Sequence, residues 1–127
     1  MTAYIDSSVV LRIVLGQADG LAEWKQINRG VASGLVETEC LRTIDRLRRA
    51  AGLSDEETAQ RREAVYRLME AVEVVEPTTV VLRRAAQPLP TPLGTLGAIH
   101  LATAVLWQES RGAELVLTTH DRALATA

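Results

Sequence analysis

Short β-branched runs alternate with longer segments of helical periodicity along this chain, and that alternation constrains its fold more than any other feature. Ala3-Tyr4-Ile5 ends at Asp6-Ser7-Ser8 and is followed by Val9, Val10, Leu11, Ile13, Val14 and Leu15, too long and too apolar for one exposed element. It reads as a buried strand, a turn and a helix capped by a serine. Leu21 to Ile27 predicts a shorter helix, and Val31-Ala32-Ser33 a short strand that breaks at Gly34. Val36, Cys40, Ile44 and Leu47 then recur at helical spacing with arginines on the other side, and Glu39 rides this helix near its start. Ser54 to Glu57 has the capping-box pattern, Ala59 to Ala71 carries that helix onward, and Ala51-Gly52 joins the two helices into a hairpin. Val72 to Glu76 predicts a strand ended by Pro77, and Thr78 a cap for a helix through Ala86. After a proline-studded loop at 87–92 come an apolar helix from Leu96 to Glu109, a buried strand from Glu114 to Thr118 and a last helix from Asp121. The order implies one α/β domain over residues 1–127, layered around a largely parallel sheet.

Composition excludes several classes of function. No apolar run approaches the roughly 20 residues of a membrane span, and the opening Met-Thr-Ala-Tyr-Ile-Asp lacks the features of a signal peptide, so a cytoplasmic protein is expected. One cysteine, Cys40, allows no intrachain disulfide and no cysteine cluster for zinc or iron–sulfur. A net charge of −2 argues against a protein that coats nucleic acid by general electrostatics. A local basic face is still available, because all but one of the 14 basic residues are arginine and several cluster at Arg42, Arg46, Arg48, Arg49, Arg61 and Arg62. Solvated helix faces carry the same pattern.

Three acids, Asp6, Glu39 and Asp121, fall where predicted elements begin or end. In open parallel sheets, ligands collect at the carboxyl ends of strands, so these acids can meet in one crevice. Each alone has an ordinary explanation as an N-cap or a solvated residue. Together they repel and raise one another's pKa unless a cation neutralises them, and oxygen-only ligands suit Mg²⁺ or Mn²⁺ rather than zinc. Such an ion acidifies water and stabilises charge on a phosphodiester, so metal-dependent nuclease chemistry is the natural use. Ser8 and Thr119, each two residues from an acid, are candidates to orient the carboxylates, or else are plain caps. Arg12, Arg42 and Arg122 are candidates to contact substrate phosphate. His100, inside the apolar stretch from Ala98 to Leu106, reads as a satisfied packing residue, and no Ser-His-Asp arrangement or nucleotide-binding glycine loop is present. The apolar helix from Val9 to Leu15 and the hairpin around Cys40 to Leu68 offer more hydrophobic surface than a chain of this size easily buries. A partner helix or a second copy covers some of it, or both simply form the core.

Four segments, Tyr4 to Leu11, Val36 to Arg42, Leu96 to Ala104 and Leu117 to Leu124, resemble in order the four sequence blocks of PIN-domain proteins, and most nearly those of bacterial VapC-type toxins. The resemblance implies a three-layer α/β/α domain and a small Mg²⁺- or Mn²⁺-dependent ribonuclease of a type II toxin–antitoxin system. It also implies a VapB-type antitoxin that blocks the site, and a homodimer. Carried over by position, Asp6 and Asp121 match metal-binding aspartates and Glu39 the helix glutamate. The third block departs: the family pattern has an aspartate where this chain has Gly97. The end departs too, because relatives often continue through a further helix and strand beyond the position of Asp121.

Folding gives no reason to prefer glycine at 97. Aspartate in a first helical turn interacts favourably with the helix dipole, whereas glycine costs about 1 kcal/mol relative to alanine in a helix. Either this is a natural member with weakened or altered activity, or a loss-of-function substitution has removed a toxic activity. The leading expectation is an impaired ribonuclease toxin; the alternative is a catalytically silent protein that keeps antitoxin or RNA binding. A receiver-like signalling domain is a third, weaker reading, for which Lys25 is badly placed.

Overall fold

The computed structural model describes residues 1–16 and 24–118. Nine elements follow in the order β1 (Thr2–Ile5), α1 (Ser7–Val14), β2 (Arg29–Ser33), α2 (Leu35–Ala51), α3 (Asp55–Glu70), β3 (Glu73–Val75), α4 (Thr79–Ala85), α5 (Thr95–Arg111) and β4 (Val116–Thr118). Of the helix expected over Leu21 to Ile27, residues 21–23 lie outside the described residues and Trp24 and Lys25 are helical, while the last helix from Asp121 lies wholly outside them.

All strand pairs are parallel, in the order β3-β2-β1-β4. The chain runs outward from β1 through β2 to β3, then returns to β1's other side as β4. The sheet order therefore reverses between β1 and β4, and beyond the carboxyl ends of the strands at such a point open parallel sheets form their ligand crevice. The register pairs Ile5 with Thr118, so these two strands end level with each other.

Strand side chains alternate between faces, and each face has its own core. Ile5 and Ala32 pack with Val9, Val10, Cys40, Ile44, Val65 and other residues of α1, α2 and α3. Tyr4 and Val31 point the other way, onto Ala104 and Trp107 of α5, while Val81 of α4 packs on Ile99 and Ala102 of α5. The result is the expected three-layer α/β/α arrangement. It also decides an alternative left open by the sequence: the apolar side of α1 and the inner side of the α2–α3 hairpin are consumed by the core. Large exposed apolar side chains include Val80 and Leu82 on α4, Leu96 at the start of α5, Tyr66 on the outer side of α3, and Val74 and Val116 on the edge strands.

Local chemistry explains the element ends. Ser54 accepts from the Glu57 N–H and donates to its carboxylate, which starts α3, and Thr78 accepts from the Val81 N–H to start α4. The α2–α3 turn needs Gly52, whose φ of 67° lies in the left-handed region. At Gly30 in β2 a Cβ would stand 2.7 Å from Ile5 Cδ1 and 2.8 Å from Val72 Cγ1, so only glycine fits without repacking. One expectation fails: α1 is capped not by a serine but by Asp6, which accepts from the Val9 N–H.

The side of the sheet away from the crevice is pinned by Glu73 on β3. It accepts from Trp107 Nε1 at 2.7 Å, from Arg111 at 2.9 Å and from Arg29, while both guanidinium groups lie over the Trp107 ring. The hydrogen bond from Trp107, then the two arginines, hold the Glu73 carboxyl below its usual pKa. The stabilisation is therefore fully present above the carboxyl's unfolded pKa and is lost as pH falls through the lower folded value. Because Glu73 is partly exposed and screened, Glu73→Gln is expected to cost about 1 kcal/mol at neutral pH. Urea melts at pH 7 and pH 3 check this: the gap between parent and variant should shrink in acid, and a gap that persists undiminished would contradict it.

Candidate active site

The crevice at the end of β1 is built around Asp6. The chain leaves the strand in an extended conformation, with Asp6 at φ −93° and ψ 177°, and turns directly into α1. Asp6 is 4% exposed, and its Oδ1 accepts from the Val9 N–H at 3.3 Å and from the Ser8 hydroxyl at 2.6 Å. Its capping geometry fixes the carboxylate, and Ser8 adds a charge-assisted bond.

Helix α2 brings Glu39 to the same place. Cys40, fully buried, donates its thiol to the Ser7 carbonyl at 3.8 Å, so the start of α2 lies against the residue that follows Asp6. Burial first, then the charges of Glu39 and Asp6, push the Cys40 thiol up to about 12. The Tyr4 hydroxyl is also raised, chiefly by burial; hydrogen bonds with Thr103 and the Ser33 backbone pull it down, and the same two carboxylates push it up. Two buried groups thus feel both acids, which puts Asp6 and Glu39 in one electrostatic neighbourhood.

His100, which the sequence reads as a satisfied packing residue, is buried and satisfied, and one of its two partners is a candidate site residue. The ring is 3% exposed, with Nε2 2.6 Å from Glu39 Oε1 and Nδ1 2.8 Å from the Tyr4 hydroxyl. A carboxylate can only accept, so Nε2 is assigned the proton and donates to Glu39, while the Tyr4 hydroxyl donates to Nδ1. The signal that points to His100 is its position on a buried helix face, where an imidazole must find polar partners. Tyr4, read only as part of a buried strand, was missed with it.

Gly97 is the third residue of α5, whose first turn holds no acidic residue. It precedes His100 by one turn, on the same side of the helix. Among the described residues, a Cβ at this position meets only Leu93, at 3.5 and 3.8 Å, which is ordinary contact, so none of them requires glycine here.

Beside Glu39 opens a cleft of about 460 Å³, lined by Ser7, Thr38, Glu39, Arg42, Arg46 and Leu96 among others. The arginine cluster divides. Arg42, Arg48 and Arg49 crowd the single carboxylate of Asp45 at 3.3, 3.6 and 3.7 Å. Arg61 donates to the Val14 carbonyl at 2.6 Å and so caps the end of α1, and Arg62 lies over the Tyr66 ring. Arg46 donates to the Thr43 hydroxyl at 2.9 Å and lines the cleft, a position the sequence reading did not single out. Arg12 is half-buried in the last turn of α1. Asp121, Thr119 and Arg122 lie outside the described residues.

The donors present fit a hard cation in kind, because Asp6 and Glu39 offer carboxylate oxygens and the thiol is held protonated. They fall short in number: among the described residues no group of three or more His, Cys, Asp and Glu side chains is placed to hold a metal ion. The described residues also contain no helix long and apolar enough to cross a membrane.

Among curated proteins none matches this chain significantly. The PIN domain family matches residues 3–127. With the match spanning residues 3–127 and, among the described residues, a four-stranded parallel sheet with helices on both faces, the chain belongs to the PIN domain family, whose members are commonly metal-dependent nucleases.

Proposed function

We propose that this chain is an endoribonuclease toxin of a type II toxin–antitoxin pair, VapC-like, with its activity impaired by Gly97. What supports the reading is Asp6 at the end of β1 and Glu39 near the start of α2, both close enough for their charges to act on the buried Cys40 thiol, with a cleft lined by Glu39, Arg42 and Arg46 alongside. Asp6, Glu39 and, from outside the described residues, Asp121 would hold Mg²⁺ or Mn²⁺. When bound, the cation supplies charge neutralisation at the phosphodiester and an acidified water. Asp6 is held by its cap and by Ser8, Glu39 by His100, and the arginines of the cleft draw the RNA backbone toward them. The reading includes a cytoplasmic location, a VapB-type antitoxin as partner and a homodimer, for which exposed Val80, Leu82 and Leu96 supply apolar surface.

The test is incubation with total cellular RNA in Mn²⁺, Mg²⁺ or chelator, for the chain as it stands and for Gly97→Asp. Chelator-sensitive cleavage by the aspartate form supports the reading, and no cleavage by either form sinks it.

A second reading has its own support. Gly97 and the short donor set favour a catalytically silent PIN protein that retains antitoxin or RNA binding. Capture of the neighbouring antitoxin together with a Gly97→Asp form that cleaves nothing would select it.

The arginines give a separate expectation. Arg46→Ala should weaken RNA binding uniformly across sequences and lower the slope of log affinity against log salt by about 1, as for one lost phosphate contact. Arg42→Ala should do less, because its guanidinium already pairs with Asp45. Filter binding across a salt series measures both, and an unchanged slope for Arg46→Ala removes it from the cleft's phosphate contacts.

A further inference from the structure

Two buried side chains lie behind Glu39, and packing alone gives no use for their polar atoms. Tyr4 on β1 is fully buried and His100 on α5 is 3% exposed, yet a Phe and a Leu would fill the same layer without polar atoms to satisfy. Their hydrogen bonds run in one direction. Tyr4 donates to His100 Nδ1 at 2.8 Å, and His100 Nε2 donates to Glu39 Oε1 at 2.6 Å. The series begins in the core and ends on a carboxylate that is 20% exposed and lines the cleft. The rings meet edge to face, with centroids 5.9 Å apart and planes at 66°, so packing as well as hydrogen bonding sets the imidazole's angle.

We propose that Tyr4 and His100 are positioning residues for Glu39. Tyr4 fixes the tautomer and tilt of His100, and His100 engages Oε1 of Glu39, so that the carboxylate is held at the cleft with Oε2 left to face a divalent cation. A glutamate on a helix surface otherwise samples several rotamers, and ordering it when the cation arrives costs affinity. Prior ordering by a second layer of hydrogen bonds removes that cost, as it does for ligands in metal sites generally. The inference rests on the metal-nuclease reading.

The test compares the parent with Tyr4→Phe, His100→Leu and His100→Gln, each in the chain as it stands and in the Gly97→Asp background. Mn²⁺ affinity is read by electron paramagnetic resonance at one fixed pH, folding by circular dichroism, and the imidazole tautomer by ¹⁵N resonance. His100→Leu is expected to weaken Mn²⁺ binding about 10- to 100-fold. Tyr4→Phe, which never touches Glu39, should weaken it by a smaller factor with the fold intact. His100→Gln, whose amide can still donate to Glu39, should recover part of the loss. The parent's ring should carry its proton on Nε2, and Tyr4→Phe should reduce that preference. Unchanged Mn²⁺ affinity in Tyr4→Phe and His100→Leu overturns the positioning role and leaves the nuclease reading standing. A proton on Nδ1 rather than Nε2 in the parent overturns it as well. No Mn²⁺ binding by either parent overturns both together.

Discussion

Gly97→Asp should raise Mn²⁺-dependent RNA cleavage by more than about 100-fold, beyond the ~10- to 100-fold that outer residues of a metal site usually contribute. Among the described residues nothing opposes it, since a Cβ there makes only van der Waals contact, with Leu93. The backbone favours it as well. Replacing glycine inside a helix and placing a carboxylate in a first turn that has none each contribute a fraction of a kcal/mol to about 1 kcal/mol. Opposing this, the added charge joins Asp6 and Glu39 in a buried neighbourhood, so metal-free protein gains less stability than local terms alone suggest. Melting curves separate these effects: Mn²⁺ should raise the Tm of the aspartate form more than that of the parent. Equal Mn²⁺ shifts, together with no cleavage, would mean that position 97 is not where the missing ligand belongs.

Asp6→Asn in the Gly97→Asp background should cost the same order in cleavage, more than about 100-fold, while leaving the fold intact. Its value lies in separating two roles carried by one side chain. Asp6 caps α1, and Asn caps a helix nearly as well, within about 0.5 kcal/mol. The cap therefore survives and the charge does not. Metal-free protein should melt no lower than its parent, because a buried charge near Glu39 is gone, and the Mn²⁺-induced rise in Tm should vanish. Asp6→Ala should lose the cap too and melt lower by the equivalent of about 1 kcal/mol. If Asp6→Asn keeps both its Mn²⁺ affinity and its cleavage, Asp6 is a helix cap and nothing more.

Local signals carried well from sequence to structure. The Ser54 capping box, the Thr78 cap and the break at Gly52 all stand where composition puts them, because each depends on a few neighbouring residues. The cap of α1 shows the limit: Asp6, Ser7 and Ser8 are all competent, and the path of the chain out of β1 selects Asp6. Apolar content misled in another way. Counting hydrophobic residues on α1 and the α2–α3 hairpin suggests an excess, whereas one face of the sheet absorbs most of them, and large exposed apolar side chains stand on α4 and at the start of α5 as well. Among the arginines, composition could not distinguish Arg61, which caps a helix, from Arg46, which lines the cleft.

By itself, then, the sequence determined the alternation of strands and helices, most of the caps, the acids at element ends and the anomaly at Gly97. Those are short-range patterns, legible because helical and extended periods differ and because caps act within one turn. The tertiary structure alone decided that β1 and β4 are neighbours at the switch point, and that Tyr4 and Glu39 are the partners of His100. Tyr4 and His100 are 96 residues apart in the chain, and His100 and Glu39 are 61 apart. Hydrogen bonds across such separations follow from strand order and from the angle at which α5 lies on the sheet. Both are set by burial of the two sheet faces as a whole, and no local stretch of sequence encodes them.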